Sequence, residues 1–245
     1  MTEILQASVP YDTRSRALPG VRPMAREDWL MRDDAFAEQM ALRGQLLSER
    51  REAVLAVTDA GRVAADELLS FVLDWLQEYD PGYEIGADSV RRPDGIEVEI
   101  DQRDPMGTLG YLVQEDLCLM ERQGDVHVLT AAVLCFPASW RLSDKIGRPL
   151  VEIHAPVPEY DDGLARRVQR LFDGVQVERP LWRFNALHYA QPDLHQPWRK
   201  EGAISEDGAT VRHPYFRSER QCVLRLPQTR ACVFSIHTFV VRAAD

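Results

Sequence analysis

Lysine is almost missing: it occurs only at Lys145 and Lys200, so the cationic side chains are otherwise arginine. Any anion contact therefore falls mainly to a forked, permanently charged donor suited to carboxylates. Cysteine is sparse too. Cys118, Cys135, Cys222 and Cys232 show no Cys-x-x-Cys spacing and stand in apolar stretches. That pattern argues against an iron–sulfur or structural zinc centre in this chain and suits buried thiols in a reducing cytoplasm. No apolar run approaches the roughly 18 residues of a membrane span. Glu3, with no apolar stretch behind it, speaks against a secretory leader. No glycine-rich phosphate loop occurs, so the chain is not expected to bind NAD(P) or flavin itself. Nor is there a Gly-x-Ser-x-Gly elbow, which argues against a serine hydrolase.

Positive charge is in deficit overall. The 29 basic and 39 acidic residues give a net charge of -10. That balance opposes nucleic-acid binding, which runs on phosphate neutralisation. The acidic excess lies mostly before residue 160, as expected for a solvated face or a surface for a basic partner. With 245 residues, 45% of them hydrophobic, the chain is long enough for a core without disulfide or metal staples.

The patterning predicts an α+β protein: a helical layer followed by a mostly antiparallel sheet with inserted helices. Residues 1–32 read as an extended arm, because Pro10, Pro19 and Pro23 forbid a continuous helix. Residues 33–80 read as the helical layer. Phe36, Met40, Leu47 and Val54 form one apolar stripe, and Ala65, Leu68, Leu69, Val72, Leu73 and Leu76 form a second, ended by Asp80-Pro81-Gly82. Residues 95–242 read as the sheet region. Ile96, Val98 and Ile100 alternate as in a half-buried strand, and Asp104-Pro105 opens a short helix. Leu117–Met120 and Val126–Phe136 form a hairpin around Gln123-Gly124-Asp125. Ser143 and Gly147 bound a helical turn, and Pro149 opens another that stops before Pro156. Residues 161–174 are an amphipathic helix, Val175–Tyr189 is extended, and two last strands cover 216–226 and 231–242. The whole chain, 1–245, reads as one domain.

Five blocks stand together in one order. They are Ala17–Met24 leading to Asp28-Trp29-Leu30, Val113–Met120, Cys135-Phe-Pro-Ala-Ser-Trp140, Ile146–Pro158 with its Ile-His-Ala-Pro-Val-Pro run, and Ser218–Pro227. With these the chain resembles the haem-dependent oxidative N-demethylase family. The resemblance implies a PAS-like sheet that holds haem b and a subunit that oxidises a small methylated amine with dioxygen. It also implies a separate flavin and iron–sulfur reductase subunit as electron source. The thiols and the lack of a long apolar run, in turn, lead to the expectation of a cytoplasmic protein with no membrane partner. Two other readings stay open: a haem-PAS gas-binding or sensing module without turnover, and a haem-free degenerate subunit. Ala186 and His237 stand where the family blocks carry Trp and Arg.

Among six histidines, His154 is the candidate iron ligand. It ends a short helix just before Pro156 and Pro158, which stiffen the chain, and imidazole is a common axial donor to haem. A structural histidine is the alternative, and a non-haem triad from Glu152, His154 and His188 is the rival metal site. The haem propionates call for cations, and Lys145 and Arg148 lie just upstream of His154. A solvated basic turn is the bland reading of both. Trp182 offers an aromatic wall or core packing. Arg183 and Asn185 look pocket-facing in the family block. Arg220 on its strand is expected to need a carboxylate, with Glu115 or Asp116 available. His127 lies in the hairpin strand, where it can face solvent; His188, His195 and His213, in or beside a polar loop, are expected at the surface, and His237 as a polar contact or a second haem-side group.

Overall fold

The computed structural model describes residues 3–14, 20–154, 162–198 and 213–243; the side chains of His154 and Asp162 lie outside that description. In chain order the elements are β1 (Arg22–Pro23), α1 (Phe36–Glu49), α2 (Arg51–Val54), β2 (Leu55–Val57), α3 (Arg62–Tyr79), β3 (Glu84–Ile85), β4 (Ser89–Arg91) and β5 (Glu97–Glu99). Then follow α4 (Pro105–Leu112), β6 (Asp116–Gln123), β7 (Val126–Val133), α5 (Leu150–His154), α6 (Asp162–Gly174), β8 (Leu181–Tyr189), β9 (Tyr215–Arg225) and β10 (Cys232–Arg242). The architecture is α+β. Seven antiparallel strands in the order β1-β8-β9-β10-β6-β7-β2 form the main sheet, and β3-β4-β5 form a small one.

The helical layer forms where the apolar stripes predict it. Leu68, Leu69, Val72 and Leu76 of α3 are fully buried, as are Met40 and Leu47 of α1. The Asp104 side chain caps α4 by accepting from the Gly107 amide at 3.3 Å, and Pro105 takes the first helical position. These helices pack on one face of the sheet, over Leu117, Val133, Cys222, Leu224 and Val233. The opposite face carries a second core of Cys118, Met120, Ala132, Val223 and Cys232 beneath Leu150 and Phe172 from α5 and α6. Gly124 turns the β6–β7 hairpin at φ 63°, a left-handed conformation that glycine reaches without strain.

Several details depart from the sequence reading. The strand expected over Val126–Phe136 leaves the ladder after Val133. The reason is Asp116, whose carboxylate accepts from the amides of Cys135 (2.7 Å) and Phe136 (2.8 Å) and bends the chain away. Ile96 lies outside β5 and is exposed; only Val98 of that alternating run is buried. His127 is buried rather than at the surface, because α6 crosses β7: Gln169 Nε2 meets His127 Nδ1 at 2.9 Å and the Phe172 ring packs against the imidazole. Ser143 lies inside its 3-10 turn, which starts after Arg141.

Candidate functional site

Strand pairing sorts the chemistry-bearing side chains onto two faces, since neighbours along a strand point to opposite sides. On the helix-covered face, the register runs Trp182–Cys222–Ser235–Leu117 and then Phe184–Arg220–His237. On the other face it runs Leu181–Val223–Phe234–Cys118–Ala132 across five strands, an entirely apolar row. The next row is Arg183–Gln221–Ile236–Asp116, followed by Asn185–Glu219–Thr238 and Leu187–Arg217–Val240.

The helix-covered face carries a buried polar network, in which Glu115 Oε2 and Arg43 Nη2 have no partner among the described residues. Arg220 meets backbone carbonyls rather than the expected carboxylate: it donates to Trp29 O at 2.9 Å and also to Asp28 O. Its guanidinium stacks 5.5 Å from the Trp182 ring centroid, and Tyr11 closes on Trp182 edge-on at 5.4 Å. Trp182 and Arg220 thus clamp the N-terminal segment onto the sheet. Glu115 and Asp116 serve other partners. Asp116 accepts from Arg43 Nη1 at 2.7 Å. Glu115 lies 2.9 Å from His237 Nδ1, while Asp33 lies 3.0 Å from His237 Nε2. Both ring nitrogens face acceptor-only carboxylates, so the imidazolium form satisfies the geometry. Burial opposes that charge, yet the hydrogen bonds to Asp33 and Glu115 outweigh it and raise the His237 pKa to about 9. Asp33 is held below the usual carboxylate range: burial works against this, and the hydrogen bond with His237 prevails.

The opposite face is different. Arg183 is half-buried; its Nη1 donates to Gln221 Oε1 at 2.6 Å, while its buried Nε–H has no acceptor among the described residues. Burial lowers the Arg183 pKa, and Glu219 is the charge that opposes this. Glu219 itself accepts from the Arg217 guanidinium Nε at 3.2 Å and from the Gln221 amide Nε2 at 3.4 Å. Thr238 Oγ1, one row further on, is likewise buried without a partner among the described residues. Asn185 and Leu187 on the same face are exposed, and Leu181 and Phe234 are half-buried. Arg217 closes one end by donating to Leu194 O (3.0 Å) and Phe136 O (2.6 Å). Beyond that end, Arg141 stacks 4.5 Å from the ring of the exposed Trp198.

Of the residues singled out in the sequence, Arg183 and Asn185 therefore share one face, and Trp182 and Arg220 share the other. Lys145 Nζ donates to the Ile153 carbonyl, and burial lowers its pKa. Arg148 is exposed and ion-paired with Glu152 at 3.7 Å. His154 closes α5, but its side chain and the Pro156–Pro158 run lie outside the described residues. His188 is exposed with its ring 5.0 Å from that of Phe216, and His195 Nδ1 meets Cys135 O at 2.8 Å. No group of three or more His, Cys, Asp and Glu suited to a metal occurs among the described residues. Sequence reasoning missed Gln221, Glu219 and Thr238 as neighbours of Arg183, because only the β8–β9–β10 register brings them together.

The chain is thus an α+β protein with helices on both faces of its main sheet, and on the second face a guanidinium with one unmade hydrogen bond among the described residues lies beside the half-buried Leu181 and Phe234. The model of the family described as haem-dependent oxidative N-demethylase, alpha subunit-like, matches residues 20–245. The chain belongs to that family. The Arg183 Nε–H, with the half-buried Leu181 and Phe234 beside it, fits the carboxylate edge and adjoining ring of a porphyrin.

Proposed function

We propose that this chain binds haem b and oxidises the N-methyl group of a small secondary or tertiary amine. The family match over residues 20–245 carries the reading, and the unmade hydrogen bond of Arg183 beside the half-buried Leu181 and Phe234 supports it. His154 is the proposed iron ligand, presented from the end of α5. The reaction balances as one dioxygen, two electrons and two protons with one N-methylamine, giving the demethylated amine, formaldehyde and water. The haem supplies the oxygen chemistry; the chain supplies ligand, polarity and exclusion of water.

The residues of the face divide that work. Leu181 and Phe234, the half-buried members of the apolar row, would keep water from one side of the ligand. Arg183 neutralises negative charge at its margin. Glu219 and Asn185 offer an acceptor and an amide within the same rows, placed to orient an amine N–H. Electrons are proposed to come from a separate flavin and iron–sulfur reductase, with no NAD(P) or flavin held here. A cytoplasmic setting agrees with four buried free cysteines. No described helix is long and apolar enough to cross a membrane.

The test is an assay of haem-loaded protein with NADPH, a flavin and iron–sulfur reductase, and dimethylamine. Formaldehyde should accumulate in step with oxygen uptake. Uncoupled oxygen uptake without formaldehyde, over a panel of secondary and tertiary methylamines, would remove the proposed reaction.

A further inference from the structure

Three basic side chains on or near the second face were candidates for an anion, and the structure separates them. Lys145 is taken by the Ile153 carbonyl. Arg148 stands in solvent against Glu152. Arg183 alone of the three combines a buried N–H without an acceptor among the described residues with a place beside the half-buried Leu181 and Phe234. Among the described residues its one direct hydrogen-bond partner is a neutral amide, Gln221, which fixes the fork by holding Nη1, and no carboxylate there meets it at contact distance. The nearest carboxylate, Glu219, accepts from Arg217 and Gln221.

A buried guanidinium with an unmade hydrogen bond is costly to keep, and a carboxylate removes that cost by accepting from it. In the row next to Arg183, Val223 and Cys118 are packed beneath α5 and α6 while Leu181 and Phe234 stay half-buried, so an acceptor arriving beside Arg183 belongs to a ligand with an apolar part against those two side chains. We infer that Arg183, held by Gln221, binds a carboxylate carried by the apolar ligand of this face, namely a propionate of the porphyrin. This rests on the haem reading above and adds the residue that grips the ligand's anionic edge. Lys145 and Arg148 are thereby relieved of that role.

Metal-free protoporphyrin IX and its dimethyl ester test this without iron ligation or turnover. Both are titrated into the full chain and followed by porphyrin fluorescence. The parent should bind the diacid more tightly than the ester. Arg183→Leu should weaken the diacid by about tenfold or more and leave the ester nearly unchanged, the size expected for one charge-assisted contact. Lys145→Ala and Arg148→Ala should keep the parent's ratio. Should Arg183→Leu not fold, Arg183→Lys and Gln221→Leu give the same readout, each with a reduced ratio.

An unchanged ratio in the Arg183 variants, with porphyrin still bound, overturns this inference alone. Failure of the parent to bind either porphyrin overturns the haem reading together with it. A second carboxylate source is separated by titrating haem-loaded protein with N,N-dimethylglycine. If Arg183→Leu loses that binding while the porphyrin ratio stays fixed, the carboxylate belongs to a small amino-acid ligand and the propionate assignment fails.

Discussion

Arg43 and Asp116 form an ion pair of 2.7 Å with 0% and 1% of their side chains exposed, and this pair fastens α1 to the start of β6. Arg43 also donates to the carbonyls of Gly110 and Gln114, both at 3.1 Å, and Asp116 holds the amides that end β7. One carboxylate thus sets where the hairpin stops and where the helical layer sits.

Asp116→Ala should be strongly destabilising. It would leave a buried guanidinium and two buried amides without their acceptor, a loss of about 3–5 kcal/mol. Asp116→Asn, which keeps one carbonyl oxygen, should cost less. Urea unfolding gives both values. A loss below about 1 kcal/mol for the alanine variant would contradict the assigned role.

The His237 cluster predicts a pH dependence with a definite sign. The histidine's pKa is raised from its ordinary value of about 6.5 to about 9. Its contribution is therefore complete below about pH 6.5 and is lost as pH rises through about 9, amounting to roughly 3 kcal/mol. His127 acts oppositely: burial lowers its pKa, so acidification through about pH 6.5 favours the unfolded chain. Urea midpoints of the parent should fall between pH 6.5 and 9.5, and His237→Gln should flatten that fall. An equal fall in both proteins would assign it to other groups.

Gly61 precedes α3, where an added Cβ would meet the Thr130 carbonyl oxygen at 2.5 Å. The backbone of β7 must then shift. Gly61→Ala should lower stability by about 1–3 kcal/mol. Calorimetry of the two proteins decides it; an unchanged melting temperature would show that the β7–α3 junction yields freely.

Electron supply gives another expectation. The isolated, flavin-free chain should not consume NADPH, and a flavin and iron–sulfur reductase should be required. NADPH oxidation by the chain alone, followed at 340 nm, would contradict the proposed division of labour.

Much of this was written in local patterns. The α3 stripe, the Asp104-Pro105 cap and the two last strands need only neighbours in sequence to be seen. So does the parity of β8, which puts Trp182 and Arg183 on opposite faces. The family resemblance, read from the five motif blocks, is supported by the match over residues 20–245. What local pattern could not supply is partnership across the sheet. His127 reads as a solvent-facing strand residue until α6 lies on it. Leu55–Val57 reads as a continuation of helix until it pairs with Ala131–Val133. Glu115, Asp33 and His237 come from three distant segments, and no periodicity joins them. The buried polar face of α1, with Gln39 and Arg43 fully enclosed, likewise follows from partners elsewhere in the chain.

The central claim, that this chain carries haem through His154, is tested most directly by the visible spectrum of protein purified from haem-supplemented cells. The parent should show a Soret band near one haem per chain. His154→Ala should lose that band or shift it as expected for a replaced axial ligand. A parent without haem, or a variant with unaltered spectrum and haem content, would contradict the account.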